Sequence, residues 1–234
     1  LVQKQLLYKG SPNTRKGHHF GSRVRFDKDG MLYFSIGDRG ARDENPQDIT
    51  KDGGKIYRLH PDGRIPESNP FVGQNGAKEA IFSYGHRNPQ GMAVHPQTGD
   101  IWIHEHGPRG GDELNLINLN KLEIQNFGWP KSSYGIHYDS VPLSNAILKI
   151  APLYKNHENY GFIEPAFYFE KSIGISEIIK NFYSETNNYF VTSLKNKTIY
   201  EIEFDENFSN PKIIDEILVG ERIRDIVFDQ NTRK

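Results

Sequence analysis

One local pattern recurs along this chain: a short apolar run, a turn rich in Asp, Asn and Gly, then a second run carrying aromatic residues. Val24-Arg25-Phe26, Asp27-Lys28-Asp29-Gly30 and Met31-Leu32-Tyr33-Phe34-Ser35-Ile36 form the clearest copy. Met92-Ala93-Val94 with Ile101-Trp102-Ile103 repeats it across His95-Pro96-Gln97-Thr98-Gly99-Asp100. Tyr189-Phe190-Val191-Thr192-Ser193 with Thr198-Ile199-Tyr200-Glu201-Ile202 is a third, and Ile226-Val227-Phe228 starts a fourth. Alternating apolar runs broken by such turns read as β-hairpins, and helical periodicity is scarce. Loosely repeated hairpins separated by long irregular insertions suit the blades of a β-propeller, and a sandwich is the other all-β architecture they allow. The Tyr/Ser/Asn-rich stretch 132–161 is too rich in turn residues for a helix and reads as loop between blades. Glu177-Ile178-Ile179-Lys180-Asn181 reads equally as a helical turn or a strand.

Composition narrows the function classes. With 234 residues, 35% of them hydrophobic, the chain can fill one core or part of a larger repetitive β fold. Lys+Arg 29 against Asp+Glu 30 leaves a net charge of -1, so no global basic field points to nucleic acid. The absence of cysteine excludes disulfides, thiolate metal sites and a Cys nucleophile, and is silent on compartment. No apolar run approaches the roughly 18 residues of a membrane span. The start, Leu1-Val2-Gln3-Lys4-Gln5-Leu6-Leu7-Tyr8, has neither an initiator Met nor the pattern of a signal peptide. At the other end Ile223-Arg224-Asp225-Ile226-Val227-Phe228 reads as a strand and Asp229-Gln230-Asn231-Thr232 as a turn with no second strand after it. The expectation is one domain over 1–234, an internal fragment of a longer protein. Nucleotide loops of the P-loop and G-x-G-x-x-G types and the Gly-x-Ser-x-Gly elbow are absent.

Chemistry concentrates in two segments, Gly85-His86-Arg87-Asn88-Pro89-Gln90-Gly91 and Glu105-His106-Gly107-Pro108-Arg109-Gly110-Gly111-Asp112-Glu113. Each follows an apolar run, Ala80-Ile81-Phe82 or Ile101-Trp102-Ile103, so both read as loops leaving strands, where β scaffolds place their sites. His18-His19 precede the first strand and Asp38 closes its hairpin. A carboxylate there can hold an imidazole in one tautomer as a general base requires, or merely cap its own turn. Arg87 and Asn88 offer a planar fork of donors and an amide, suited to oxygens on a conjugated ring or a carboxylate, or else an exposed turn closed by Pro89. Arg222 and Arg224 alternate at the entrance to a strand, which puts both guanidinium groups on one face. Lys195 in the third hairpin turn adds another cation, the alternative in each case being a solvated face. Gly107-Pro108 beside Asp112-Glu113 suits a hard cation such as Ca²⁺, without the spacing of an EF-hand. His104 and His106 share a strand face with no third ligand in view, which disfavours zinc.

In this order the motifs resemble the soluble quinoprotein aldose sugar dehydrogenases, the glucose/sorbosone dehydrogenase family. The resemblance runs from His18-His19-Phe20-Gly21-Ser22-Arg23 through Gly53-Gly54-Lys55-Ile56-Tyr57-Arg58-Leu59, Asp62-Gly63-Arg64-Ile65-Pro66 and Asn69-Pro70-Phe71-Val72-Gly73. It continues through the two segments above and Gly128-Trp129-Pro130 to Arg222-Ile223-Arg224-Asp225.

The resemblance implies an all-β, six-bladed β-propeller, here without its N-terminal blade and closing strands. It implies oxidation of the C1 hydroxyl of an aldose to the lactone, with pyrroloquinoline quinone (PQQ) and Ca²⁺ as cofactors and an external electron acceptor, in a periplasmic or secreted protein. His19 matches the family's base and Asp38 the carboxylate that orients it. Arg87 and Asn88 match residues at the quinone oxygens, and Lys195, Arg222 and Arg224 the cations that hold the cofactor's carboxylates. Gly107 and Pro108 match positions whose carbonyls bind the Ca²⁺ at the quinone. Glu113 with the carbonyl of Phe127 resembles a second, structural Ca²⁺ site, and Tyr168 a residue stacking on the sugar. Phe169 and Glu177 stand where the family tends to have Trp and Gly, so the wall over cofactor and sugar is expected to differ. The stretch from Asn120 to Gln125 reads as an insertion before Phe127. A propeller that binds sugar or protein without catalysis, and a Ca²⁺-dependent hydrolase of the lactonase type, are the competing readings; the hydrolase has no use for three cations around an anion.

Overall fold

The computed structural model describes residues 4–11, 15–121, 123–138 and 142–229. They form three sheets, each built on four antiparallel strands that neighbour one another in chain order. The first holds β1 (Val24–Phe26), β2 (Leu32–Ile36), β3 (Lys55–Leu59) and β4 (Ile81–Tyr84), with the two-residue β8 (Gln125–Asn126) parallel to β4 at its edge. The second holds β5 (Pro89–Val94), β6 (Ile101–Glu105), β7 (Asp112–Ile117) and β9 (Phe167–Phe169). The third holds β10 (Ile175–Lys180), β11 (Asn187–Ser193), β12 (Thr198–Phe204) and β13 (Lys212–Leu218). This all-β arrangement of repeated four-stranded meanders is propeller-like.

Period-two alternation explains why the sheets stack. Ile101 and Ile103 join Tyr33, Ile56, Met92 and Phe127 in a core between the first and second sheets. Their neighbour Trp102 points the other way, into a core with Tyr189, Val191 and Phe204 of the third sheet. Phe34 and Tyr57 turn to the far face of the first sheet and stack at 4.8 Å. Strands with both faces covered hold the structure together; truncating a side chain such as Trp102 to Ala typically costs about 3–5 kcal/mol.

Where the sheets converge the contact is polar. Glu177 on β10 is buried and meets Arg25 of β1 at 2.6 Å and Arg23 at 2.8 Å, while accepting hydrogen bonds from Met92 N and Ile178 N at 3.0 Å each. Arg23 also donates to the carbonyls of Gln90 (2.5 Å) and Ser176 (3.2 Å), so one guanidinium, carried by the residue before β1, joins the second and third sheets. Burial pushes the Glu177 carboxyl up to about 7, against the pull of Arg25 and Arg23.

The hairpins appear where the alternation places them, and 177–181 resolves as part of β10 and the residue after it. Three expectations are corrected. The 132–161 stretch carries a short helix, α1 (Asn145–Ile150), and a 3₁₀ turn, His157–Tyr160; the Ser144 side chain accepts from Ile147 N and caps α1. Residues 221–229 form no strand: Ile223 hydrogen-bonds Ser193 and Ser176 without a ladder. The turn expected over 229–232 lies mostly outside the described residues. Pro89, Gln90 and Gly91, and Asp112 and Glu113, belong to strands rather than loops, leaving shorter loops at 85–88 and 106–111. No helix among the described residues is long and apolar enough to cross a membrane.

Candidate active site

The site is built at the ends of β2, β4 and β6, where three short loops meet. His19 precedes the first sheet in a left-handed backbone conformation (φ 55°), and Gly21 and Ser22 share it. For a non-glycine residue such backbone is uncommon and holds only where its surroundings fix it. Here Gly37 does so: a Cβ on it would collide with the His19 carbonyl, so only glycine lets the two segments touch. Gly21 N donates to Asn88 Oδ1 at 3.1 Å, and Asp38 N donates to the Arg87 carbonyl at 2.7 Å. The strand-end loops are therefore tied backbone to backbone.

Within this frame His19 Nδ1 lies 2.7 Å from Asp38 Oδ1. The His19 side chain is 20% exposed and that of Asp38 1%, so the ring opens to solvent while its partner is sealed behind it. Asp38 also accepts from Gly40 N at 2.7 Å and from Trp129 Nε1 at 2.9 Å. Burial pushes its carboxyl up, and the bonds from His19, Gly40 and Trp129 outweigh burial and hold it below the usual carboxylate range. An ionised Asp38 keeps the His19 proton on Nδ1 and leaves Nε2 as the basic nitrogen.

His19 and Arg87 line one cleft of about 340 Å³ with His18, Pro108, Trp129 and Tyr138; Arg42, Asp43 and His137 stand at it as well. Arg87 is held at both ends. Its N–H donates to Glu105 Oε2 at 2.7 Å, and its guanidinium reaches the His106 carbonyl at 3.3 Å and lies 5.3 Å from the Trp129 ring centroid. Its Nε is buried without a partner, an orphaned donor that fits an oxygen-rich ligand in the cleft. Glu105, to which sequence reasoning gave no role, is itself fixed by His86 Nδ1 (2.8 Å) and Asn115 (2.9 Å).

The cation positions divide. Pro108 lines the cleft, its carbonyl taking the Tyr138 hydroxyl at 2.9 Å, and Gly107 lines a small adjoining cavity with Glu105 and Glu113. Glu113 is buried, and burial together with the nearby Glu105 charge pushes its carboxyl well above the usual range. Two buried carboxylates of like charge fit a cation that would offset them. Asp112 does not add to this charge: its carboxylate is turned to Gly107 N, Ser172 Oγ, Ile173 N and Gly174 N at 2.9–3.0 Å. Phe127 is buried with its ring on His86 at 4.6 Å, and His157 Nε2 stands 3.6 Å from Glu113. Among the described residues no three His, Cys, Asp or Glu side chains are grouped to hold a metal, so a cation here relies on backbone carbonyls.

Other residues stand apart. Tyr168 is stacked on Tyr134 at 3.7 Å and does not line the cleft. Phe169 is buried between the second and third sheets and Glu177 at their junction with the first, so neither walls the cleft. Lys195, Arg222 and Arg224 are exposed. Of these, Arg224 is near enough to act with burial, Arg87 and His19 in lowering His106 to about 3. Several cleft residues, Trp129, Tyr138, Arg42, Asp43 and His137 among them, have no role in the sequence reading. Trp129 was visible only as part of a Gly-Trp-Pro motif, and Tyr138 sits in a loop whose composition carries no signal.

The family model described as Glucose / Sorbosone dehydrogenase matches residues 1–233. The chain is 35% identical over 228 residues to the aldose sugar dehydrogenase of Escherichia coli (strain K12), covering 94% of this chain and 57% of that protein. It is 34% identical over 142 residues to quinoprotein glucose dehydrogenase B of Acinetobacter calcoaceticus, covering 53% of this chain and 28% of the relative. Its structure superposes on the crystal structure of the soluble aldose sugar dehydrogenase from Escherichia coli in the apo-form with a TM-score of 0.82 at 32% identity, over 96% of this chain and 62% of that one. The chain thus spans less than two thirds of the length of these relatives.

Proposed function

Because this chain belongs to the glucose/sorbosone dehydrogenase family, we propose that it carries the proton-transferring and cofactor-contacting part of a quinoprotein aldose dehydrogenase. The observation that carries this reading is the 2.7 Å pairing of a half-open His19 with a sealed Asp38, in one cleft with the Arg87 guanidinium. In the proposed reaction His19 Nε2 takes the proton of the sugar C1 hydroxyl while the C1 hydrogen leaves with its electron pair, and the C1–O bond becomes the lactone carbonyl. PQQ, when bound, supplies the acceptor for that hydride. Asp38 stabilises the imidazolium that forms on His19, and Arg87 with Asn88 holds the oxygens of the acceptor, offering charge where it develops. The orphaned Arg87 Nε and the desolvated Glu113 support these assignments. Lys195, Arg222 and Arg224 hold the cofactor's carboxylates, and the carbonyls of Gly107 and Pro108 a Ca²⁺ beside it. Glu113 with the Phe127 carbonyl serves a structural Ca²⁺. The three sheets belong, in this reading, to a six-bladed propeller completed by chain outside residues 1–234, in a periplasmic or secreted protein that passes its electrons to an external acceptor.

Dye-linked oxidation of aldoses by the complete protein, reconstituted with Ca²⁺ and PQQ and compared with a cofactor-free control, tests this. Cofactor-dependent dye reduction is the expected outcome. A folded protein that binds the cofactor and reduces no dye with any aldose refutes the dehydrogenase reading.

A further inference from the structure

Trp129 joins two parts of the site that the proposed reaction treats separately. Its indole Nε1–H donates to Asp38 Oδ2 at 2.9 Å, the oxygen not used by His19, across 91 residues of sequence. The ring centroid lies 5.3 Å from the Arg87 guanidinium carbon. The residue is 6% exposed, and its backbone is held on both sides, N–H to the Gly85 carbonyl (2.9 Å) and carbonyl to Gln47 Nε2 (2.8 Å). The indole therefore has little freedom to turn, and Asp38 is gripped at both oxygens.

We propose that Trp129 is a positioning residue for the reaction: its N–H fixes the Asp38 carboxylate in the plane that serves His19 and sets how basic the pair is, while its ring seats the Arg87 guanidinium. This rests on the dehydrogenase reading for its kinetic consequence, but the bond itself does not. A donor to a carboxylate spreads its negative charge. Without it Asp38 draws the imidazolium more strongly, and the pair gives up its proton only at higher pH. The charged and titratable groups facing the pair are Lys16 and His18 from the preceding segment, Arg42, Asp43 and Glu44 from the segment after Asp38, Arg87 and His106 from the neighbouring loops, and His137 across the cleft. The bonds placed on the Asp38 carboxylate come from His19 Nδ1, Gly40 N and Trp129 Nε1.

Trp129→Phe in the complete, cofactor-loaded protein keeps an aromatic face for Arg87 and removes the N–H. Benzothienylalanine at position 129 does the same with the bicyclic ring retained, so that a folding defect in the smaller variant does not decide the matter. The acid limb of kcat/KM is expected to move to higher pH by about 0.5–1 unit, the size of one charge-assisted hydrogen bond partly replaced by solvent. A limb superimposable on that of the unsubstituted protein overturns the proposal, whatever happens to the maximal rate. A second readout needs no turnover. In the cofactor-free protein the Trp129 indole N–H resonance, assigned by its loss in the variant, is expected downfield, to titrate with pH, and to move upfield in Asp38→Asn. A resonance indifferent to pH and to Asp38→Asn refutes the bond even if the protein oxidises sugar; a protein that oxidises nothing leaves this readout intact and refutes only the reaction.

Discussion

Two regions of this molecule are assigned to the same ligand and are built in opposite ways. Around His19, Asp38 and Arg87 the backbone is crossed by direct bonds between loops, Asp38 and Glu105 each accept from three donors, and the side chains are mostly sealed. Along 221–229 the chain has no ladder, Arg222 and Arg224 face solvent, and its ties include Ile223 to Ser193 and Ser176, the 3.3 Å contact of an exposed Asp225 with Arg23, and the Phe228 ring against Phe182 (4.9 Å) and Tyr183 (5.4 Å). The first region is organised before a ligand arrives. The second is held more loosely, since exposed ion pairs hold little, about 0–1 kcal/mol, and in the proposed reading it would gain order from the cofactor it binds. Preorganised groups belong to the chemical step and loosely held ones to affinity.

The sharpest way to break this contrast is His19→Ala. Loss of a general base costs about 10²–10⁴-fold in turnover, and cofactor affinity, measured by titration of the apoprotein, should stay within a few-fold. Equal losses in both would show that His19 serves binding. Next in size, Arg222→Ala with Arg224→Ala should weaken cofactor affinity by roughly 10–100-fold, one to two charge-assisted hydrogen bonds, with turnover at saturating cofactor nearly kept. Unaltered affinity would remove the clamp.

The smallest effect concerns pH. His104, on β6 two residues before His106, is fully buried, and burial, aided by His106, lowers it well below the usual histidine range. The unfolded chain takes up a proton on this ring below about pH 6.5 and the folded chain does not. Stability is therefore lost as pH falls from there, by about 1.4 kcal/mol per pH unit for one proton. His104→Leu should flatten the acid side of a plot of unfolding free energy against pH, while Arg222→Ala leaves its slope alone.

How much of this the sequence discloses depends on whether a residue's partner is local. Hairpins such as 24–36 are legible because alternation and turn chemistry lie within a dozen residues. β10 is not, because buried side chains on both faces erase the alternation. Residues 223–228 alternate like a strand and form none, since a strand needs a neighbour to bond to. α1 escapes notice because it buries no residue and so has no apolar stripe. In the site, the pairing of His19 with Asp38 could be guessed from two loops nineteen residues apart. The grip of Trp129 on the same carboxylate, and the turning away of Asp112, depend on contacts across 91 and about 60 residues that no spacing encodes.

The 2.7 Å bond from Asp38 N to the Arg87 carbonyl bears on how such a site can drift over generations. A link made by main-chain atoms is indifferent to most substitutions around it, so the distance between proton acceptor and guanidinium is inherited with the fold. Arg42, Asp43 and His137 at the cleft mouth are tied mainly to one another, through an Arg42–Asp43 pair at 2.8 Å and an Arg42–His137 contact at 3.3 Å. In the proposed reading, substitutions at Arg42, Asp43 and His137 would therefore change what the cleft admits while leaving the placing of Asp38 against Arg87 as it is.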